Sequence, residues 1–238
     1  MNLASFIILG VVLVLVLYYF LYTDGATVLS NKLDLAITQP DVQIASLGVG
    51  PDSKRYSIEM WMYVYNANST DTYIVSRDAA TTTSTATTVG TVTTPPVYNK
   101  NIGIKLIGGM PKLVLEYQKS DKSKGELVIT DNFPLQTWAH LIVSIDNSFI
   151  DVYMNGKLIK SMQDSIEAPS ATSVLKYGVC NCYLAKLVRS TNPTDPQTAW
   201  NQYVAGNGEN PLAKYLASFG LSVTLQKNSQ DYSKITVF

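Results

Sequence analysis

The feature that most constrains this chain is a run of twenty uncharged residues at its amino terminus, from Leu3 to Tyr22. A helix rises about 1.5 Å per residue, so a helix of that length would cover the hydrocarbon core of a bilayer. A cleavable secretory signal is the alternative, but no Lys or Arg precedes the run and no clean cleavage pattern follows it. We therefore predict an uncleaved single-pass anchor over residues 1–23, with its sidedness open. The side chains expected to contact lipid are Leu3, Phe6, Ile7, Leu13, Leu17, Tyr18 and Tyr22.

The charge and cysteine content narrow the function classes of the rest of the chain. The 18 basic residues balance the 18 acidic ones, so no basic excess is available to attract nucleic acid. Cys180 and Cys182 are one residue apart, and a disulfide between neighbours on one strand face would strain the backbone. His140 is the single histidine. We therefore expect two thiols, no metal and no cofactor.

After a polar connector predicted over residues 24–40, strand patterns follow one another to residue 188. The segment from Tyr56 to Tyr65 alternates clearly, with Ile58, Met60 and other apolar residues on one face. Many short strands separated by turns are typical of a β-sandwich or barrel. The further predicted strands are 41–47, 72–76, 102–107, 113–118, 126–129, 138–145, 149–154, 158–162, 174–179 and 183–188.

Turn and cap residues refine this pattern. Asn155-Gly156 favours a two-residue hairpin, which makes 138–162 a three-stranded meander. Asp195-Pro196 predicts the start of a short helix that closes at Gly206, and Asn210-Pro211 predicts a second. Final strands are expected at 221–225 and 235–238, so we predict one domain over residues 41–238.

A threonine-rich insertion interrupts the domain at residues 79–98. It holds hardly any large apolar side chain, so it adds little to a core. It is interpreted either as an exposed variable loop or as an extended arm that adds a strand to a partner. The predicted partner contacts of such an arm are Thr82, Thr85, Thr88, Thr91 and Thr94.

Two stretches of sequence resemble a known family. Trp138-Ala139-His140 and its apolar run, followed by Val152-Tyr153-Met154-Asn155-Gly156-Lys157, resemble the motifs of laminin-G-like, concanavalin-A-like jelly-roll domains. Tyr56–Tyr65 and Tyr73–Arg77 are similar to that family's upstream strands. The resemblance spans about residues 41–205 and implies an all-β sandwich of two antiparallel sheets with one or two short carboxy-terminal helices.

This resemblance does not imply one activity, because the fold carries lectins, glycosidases, adhesion modules and structural proteins. The glycosidase motif E-x-D-x-x-E is absent, and Glu59, Glu116 and Asp151 are interpreted as solvated or hydrogen-bonded surface carboxylates. His140 is expected beside the core, without a catalytic role. Residue type alone makes Asp78, Asp146, Asn147 and Asn181 candidates for a sugar or calcium site, although turn chemistry explains them equally well.

The leading hypothesis is therefore a non-catalytic structural protein, held at a lipid bilayer by residues 3–22 and docked on a protein lattice. An amino-terminal anchor with a disulfide-poor jelly roll resembles membrane-associated minor capsid proteins of large icosahedral DNA viruses, which implies a place in the virion between inner membrane and capsid. The alternative is a membrane-tethered carbohydrate-binding module with glycan partners. A degenerate glycosidase is a third interpretation, and it requires two carboxylates in one groove.

Overall fold

Two antiparallel sheets packed face to face form the sandwich. The computed structural model describes Gly10 and residues 26–79 and 99–207, with the backbone alone for 87–89, 92–94, 222–227 and 230–236. The predicted all-β sandwich is confirmed. Its strands are β1 Ala26–Asp34, β2 Arg55–Val64, β3 Thr72–Asp78, β4 Thr87–Val89, β5 Val92–Thr94, β6 Lys100–Leu106, β7 Leu113–Gln118, β8 Lys124–Thr130, β9 Trp138–Asp146, β10 Phe149–Met154, β11 Lys157–Gln163, β12 Leu175–Tyr177, β13 Cys182–Ser190, β14 Ser222–Lys227 and β15 Gln230–Thr236.

The strand order explains how the core is enclosed. One sheet has six strands in the order β1-β13-β2-β9-β10-β11, and the other has five in the order β12-β3-β6-β7-β8. Strand β2 sends Ile58, Met60 and Met62 into the core, and β7 sends Leu113 and Leu115 to meet them from the opposite sheet. Alternate residues of the same strands face outward, because successive side chains of a strand point to opposite faces.

Register defines two ends of the sandwich, which we name the amino-terminal pole and the aromatic pole. At the amino-terminal pole the chain enters β1 at Ala26, which pairs with Ser190, while the β9–β10 turn brings Asp146 opposite Phe149. At the aromatic pole the other ends of β2, β9 and β13 meet, and Tyr63 pairs with both Trp138 and Tyr183. A nine-residue strand spans roughly 30 Å between the poles.

Most predicted strands occur within a few residues of their expected bounds, but two assignments were wrong. Residues 26–34 of the predicted connector are an edge strand, whose backbone pairs with β13 from Ala26↔Ser190 to Asp34↔Tyr183. The sequence of this strand shows no regular alternation of apolar and polar residues. Its one paired edge lies against β13, and only part of one of its faces is covered by other residues. The predicted strand 41–47 is instead a 3₁₀ turn at Ile44–Leu47, preceded by an isolated bridge between Val42 and Leu175.

The predicted helix is confirmed as α1, Pro196–Val204, and it lies on the outer face of the six-stranded sheet. The Asp195 carboxylate caps it by accepting hydrogen bonds from the backbone N–H groups of Gln197 and Thr198, at 2.9 and 3.0 Å. Ala199 is fully buried with Ile142 and Tyr153 of the sheet. This contact holds the helix across strands β9 and β10.

The ends of the chain bear on two further predictions. The predicted anchor over residues 3–22 lies outside the described residues apart from Gly10, and so does the second helix expected after Pro211. The final strands β14 and β15 pair with each other as a hairpin. Within the part of the chain that the structure describes, no helix is both long and apolar enough to cross a bilayer.

The Asn155-Gly156 hairpin gives a test of how closely α1 approaches the sheet. Gly156 has φ +74°, and an added Cβ would lie 3.0 Å from side-chain atoms of both Trp200 and Tyr203. We expect Gly156→Ala to cost about 1–2 kcal/mol for the left-handed backbone and about 1–3 kcal/mol more for overpacking. Gly109→Ala is the matched control, since Gly109 has the same φ with open space around it. Equal losses of Tm in the two variants would contradict a tight helix–sheet contact.

Candidate functional site

The two isolated strand carboxylates occupy opposite outer faces of the sandwich. Glu59 alternates with the core residues of β2, and Glu116 alternates with those of β7, so each points away from the core on its own sheet. Stacked sheets are about 10 Å apart, and the two carboxylates are separated by both sheets. They therefore cannot flank a single glycosidic bond, which requires carboxyl groups within about 5–10 Å of each other.

Glu59 lies in a buried ionic cluster with His140 and Lys186. Its Oε1 is 3.3 Å from the His140 Nε2 atom and 2.9 Å from the Lys186 Nζ atom. Lys186 reaches the carboxylate from a β-bulge in β13, where its own φ is +48°. Burial raises the pKa of Glu59, but the hydrogen bonds from His140 and Lys186 outweigh it and hold this pKa below its ordinary value.

Aromatic rings cover the Glu59 and His140 side chains of this cluster. Trp61 stacks on Tyr203 of α1, with centroids 5.7 Å apart and planes 14° apart, and its centroid is 4.9 Å from that of His140. His140 is fully buried and Glu59 is only 4 % exposed. The interpretation of Glu59 as a surface carboxylate was therefore wrong, because α1 covers this face of the sheet. The cluster is a structural ion pair rather than an open site.

Glu116 is the centre of a second cluster, on the outer face of the five-stranded sheet. Lys105 and Lys124 lie 2.5 and 2.6 Å from its Oε1, and the Tyr73 hydroxyl donates a hydrogen bond to its Oε2. These three side chains leave Glu116 only 1 % exposed, which corrects its interpretation as a surface carboxylate. Burial lowers the pKa of Lys105, but its hydrogen bonds with Glu116 and Asp71 raise the pKa overall, so the cluster keeps its charges.

An open groove of about 600 Å³ lies at the amino-terminal pole, between the β9–β10 turn and the segment that leads into α1. Phe149 contributes a half-exposed ring to its wall. Its polar groups are largely committed within the protein: Arg55 pairs with Asp146 at 2.9 Å, and Asp151 accepts a hydrogen bond from Ser161 at 2.6 Å. The other lining residues are Ser144, Tyr153, Asn192, Pro193, Thr194, Asp195 and Pro196.

The four residues proposed from type alone as sugar or calcium ligands do not form one site. Asp146 lines this groove, and Asn147 lines a smaller cavity of about 380 Å³ on the other side of the same turn. Asp78 lies at the same pole but on the other sheet, paired with Lys176 at 3.0 Å. Asn181 precedes β13 at the aromatic pole. Among the described residues, no group of three or more His, Cys, Asp or Glu side chains is placed to hold a metal ion.

The aromatic pole carries a row of four partly exposed rings on the outer face of the six-stranded sheet. Tyr63 is 5.6 Å from Trp138 and 6.3 Å from Tyr183, and Tyr183 is 5.5 Å from Tyr65, between ring centroids. In the sequence these rings lie in three separate segments, around Tyr63 and Tyr65, at Trp138 and at Tyr183. The register of β2 with β9 and β13 brings them together.

Asn68 ties the loops of the aromatic pole to one another. Its carbonyl accepts a hydrogen bond from the backbone of Gly109 at 2.7 Å, and its side-chain oxygen accepts one from Asn181 at 3.0 Å. Its side-chain nitrogen donates to the Thr72 hydroxyl at 3.0 Å and to the Val179 carbonyl at 3.4 Å. These loops and their neighbours carry four exposed apolar side chains: Ile37, Met110, Leu135 and Val179.

The threonine-rich insertion leaves and re-enters the sandwich at the amino-terminal pole. Ala79 bridges to Pro169, and its N–H donates to the Asn99 carbonyl at 2.7 Å. Backbone strands at Thr87–Val89 and Val92–Thr94 pair with each other, and they include Thr88 and Thr94. Thr82, Thr85 and Thr91 lie outside the described residues, and the predicted partner contacts stay a prediction.

The two cysteines are buried thiols whose sulfur atoms are 3.2 Å apart, too far for a disulfide. The hydrogen bond with Cys180 and burial raise the pKa of Cys182 well above its ordinary value. The expectation of two unbridged thiols is met, and a thiol held in its protonated form is a poor nucleophile.

Comparison with known proteins places the chain in a family. The Laminin_G_3 model of the concanavalin A-like lectin/glucanases superfamily matches residues 36–179, which is more than half of the chain. The protein therefore belongs to this family of lectin-type sandwich domains. No curated protein matches the chain.

A solved structure agrees with this fold. The binding domain of Paraclostridial Mosquitocidal Protein 1 has a TM-score of 0.52 and 11% identity, over 76% of this chain and 46% of that chain. The binding domain of botulinum neurotoxin DC, solved in complex with SialylT, has a TM-score of 0.48 and 13% identity, over 66% of this chain and 37% of that chain. The protein thus spans less than half the length of either structure, and the likeness to the first of them, at 11% identity, shows a shared fold alone.

The Glu59 cluster predicts a specific pH dependence. The folded pKa of Glu59 lies below its ordinary value of 4.5, so the carboxylate adds stability above that pH and loses it as the pH falls through the folded pKa. We expect Glu59→Gln to lower the free energy of unfolding at pH 7 by about 1–3 kcal/mol and to flatten its loss on acidification. Urea unfolding at neutral and acidic pH measures both effects. Glu126→Gln, at a half-exposed carboxylate, is the control, and an equal effect there would contradict the assignment.

The loops of the aromatic pole are expected to lose stability when the Asn68 side chain is removed. We expect Asn68→Ala to lower the free energy of unfolding by about 1–3 kcal/mol, because the Asn181 N–H and the Val179 carbonyl lose their partner. Hydrogen exchange should increase first at the Asn181 N–H, which loses its acceptor. The neighbouring exposed Asn66→Ala provides the control, and it should change neither measurement. Protection that stays intact in Asn68→Ala would show that the loops are held by other contacts.

Proposed function

We propose that this protein is a membrane-tethered, non-catalytic structural module that docks on a protein lattice through its aromatic pole. A minor capsid protein that links the inner membrane of a virion to its capsid would act in this way. The observation that carries the proposal is the set of exposed apolar side chains at that pole. Single exposed apolar residues are common on protein surfaces, but a group of them on connected loops is typical of a contact surface.

The geometry of this pole supports the proposal. Asn68 joins the loops that carry Met110 and Val179, and the Gln136 N–H donates to the Val64 carbonyl at 2.8 Å, which fixes the loop of Leu135 beside the same strand end. The aromatic row begins at the next residue, Tyr65. Rigid aromatic and aliphatic side chains on ordered loops lose little conformational entropy when a partner covers them. The placement of Glu59 and Glu116 on opposite faces, both ion-paired, agrees with a module that binds without catalysis.

Crosslinking mass spectrometry on native membranes, before and after detergent, tests this proposal. Lys112 and Lys157 flank the aromatic pole, whereas Lys54 and Lys119 lie at the amino-terminal pole. We expect reproducible crosslinks from the first pair to a repeated structural protein, and few from the second pair. A detergent-released monomer without protein neighbours would overturn the docking proposal.

A double substitution and a control variant test the same proposal without depending on lysine reactivity. We expect Leu135→Glu with Val179→Glu to reduce co-sedimentation with the lattice protein by at least about tenfold, which corresponds to about 1.4 kcal/mol of binding free energy. Val28→Glu is the control: it introduces one such charge at an exposed apolar position near the amino-terminal pole and should leave binding unchanged. Equal losses in both variants would place the contact elsewhere.

Carbohydrate binding in the groove at the amino-terminal pole is the second candidate. The half-exposed Phe149 ring beside Asp151 and Asn192 favours it, because sugar rings stack on aromatic faces while carboxylate and amide groups accept and donate hydrogen bonds to hydroxyls. We expect a glycan bound there to be lost in Phe149→Ala and retained in Trp200→Ala, where another exposed ring lies outside the groove. Retention on a glycan array that survives Phe149→Ala would exclude this site.

A further inference from the structure

The position at which the chain enters the sandwich constrains how the domain sits on a membrane. The predicted anchor ends at Tyr22, and β1 begins at Ala26. Four Cα–Cα steps reach at most about 14 Å even when fully extended. The headgroup layer on each side of a bilayer is about 5–8 Å thick. An anchor over residues 3–22 would therefore keep the start of β1 within about 6–9 Å of the outer edge of the headgroup layer.

The amino-terminal pole presents apolar side chains next to that entry point. Val49 is 82 % exposed, and its loop is fixed against β1 because Gly48 packs on Thr27. Arg189 holds the same loop by donating hydrogen bonds to the carbonyls of Leu47, Val49 and Gly50, at 2.8, 3.1 and 2.7 Å. The loop is therefore a rigid projection with the exposed Val49 side chain at its tip.

Phe149 provides a second apolar projection at the same pole. Strand register places the ends of three strands of the six-stranded sheet at this pole. Ser190 of β13 pairs with Ser57 of β2, and Ser57 pairs with Ser144 of β9. The β9–β10 turn follows directly and exposes half of the Phe149 ring. Val49 and Phe149 therefore lie at the end of the sandwich at which the anchor would emerge.

Three ion pairs at this pole each join one basic and one acidic side chain, and the neighbouring Asp52 and Lys54 add one charge of each sign. Arg55 contacts Asp146 at 2.9 Å, Lys119 contacts Asp164 at 2.9 Å, and Lys122 contacts Glu167 at 3.0 Å. A surface with balanced pairs has no net attraction to anionic lipid and no strong repulsion from it. Contact with a membrane would then depend on the tether and on the apolar projections, not on lipid charge.

We propose that the amino-terminal pole rests on the lipid surface, with Val49 and Phe149 in the headgroup layer, and that the aromatic pole points away from the membrane. This inference rests on the proposed tether and adds the orientation of the domain to it. It places the docking surface roughly 30 Å beyond the membrane-facing end, the length of a nine-residue strand. It also places both ends of the threonine-rich insertion, Ala79 and Asn99, on the membrane side.

Site-directed fluorescence on the full chain tests the orientation. Val49→Cys and Phe149→Cys report on the amino-terminal pole, and Met110→Cys and Leu135→Cys are matched exposed positions at the aromatic pole. Cys180 and Cys182 are buried, so the unsubstituted protein serves as the labelling blank. Each variant is labelled with bimane and reconstituted in phosphatidylcholine vesicles that carry a nitroxide quencher at the headgroup. We expect several-fold quenching at the first two positions, little at the other two, and no change when anionic lipid is added.

Flotation of the same vesicles separates this inference from the tether on which it rests. Protein that floats and is quenched at Val49→Cys and Phe149→Cys alone supports both. Protein that floats but is quenched equally at all four positions, or only at the aromatic pole, overturns the orientation and leaves the tether standing. Protein that does not float with the vesicles overturns both. A requirement for anionic lipid would show that charge, not the apolar projections, holds the pole to the membrane.

Discussion

The pairing of β2 with both β9 and β13 is the constraint on which the rest of the structure depends. This register sends Ile58, Met60 and Met62 into the core and Glu59, Trp61 and Tyr63 to the outer face. A slip of one residue would exchange the two sets and expose the core, so the register is strongly fixed. Every feature of the six-stranded sheet's outer face, from the Glu59 cluster to the aromatic row, follows from it.

The two ionic clusters show how this sandwich buries two strand carboxylates. Glu59 is neutralised by Lys186, which reaches it from a bulge, and is covered by α1. Glu116 is neutralised by Lys105 and Lys124, whose long side chains cover it in place of a helix. A buried carboxylate is costly unless it is paired, and in each cluster the partners come from a different strand. The clusters therefore hold the outer faces in register.

The poles divide the remaining surface into two parts with different chemistry. Rigid loops at the amino-terminal pole are held by backbone hydrogen bonds to Arg189, and those at the aromatic pole are held by Asn68. Because both sets of loops are fixed by buried or half-buried polar groups, their exposed apolar tips are displayed without a large entropic cost on binding. The proposals of a membrane-facing end and a docking end both follow from this division.

The sequence by itself determined the class of fold and most strand positions. Some features depend on interactions within a few residues and can therefore be predicted from the local sequence. They are the alternation in residues 56–65, the Asn155-Gly156 turn and the Asp195 cap. The edge strand β1 could not be read in this way, because its polar residues form a strand only through pairing with β13, more than 140 residues away.

Only the tertiary structure decided what each candidate residue does. The sequence alone predicts a solvated or hydrogen-bonded surface carboxylate at Glu59, because its partner Lys186 and its cover Tyr203 lie far along the chain. Asp146 and Asn147 both lie at the amino-terminal pole, whereas Asn181 lies at the aromatic pole. Long-range register decides such positions, since the period of two along a strand gives the face of a side chain but not its neighbours across the sheet.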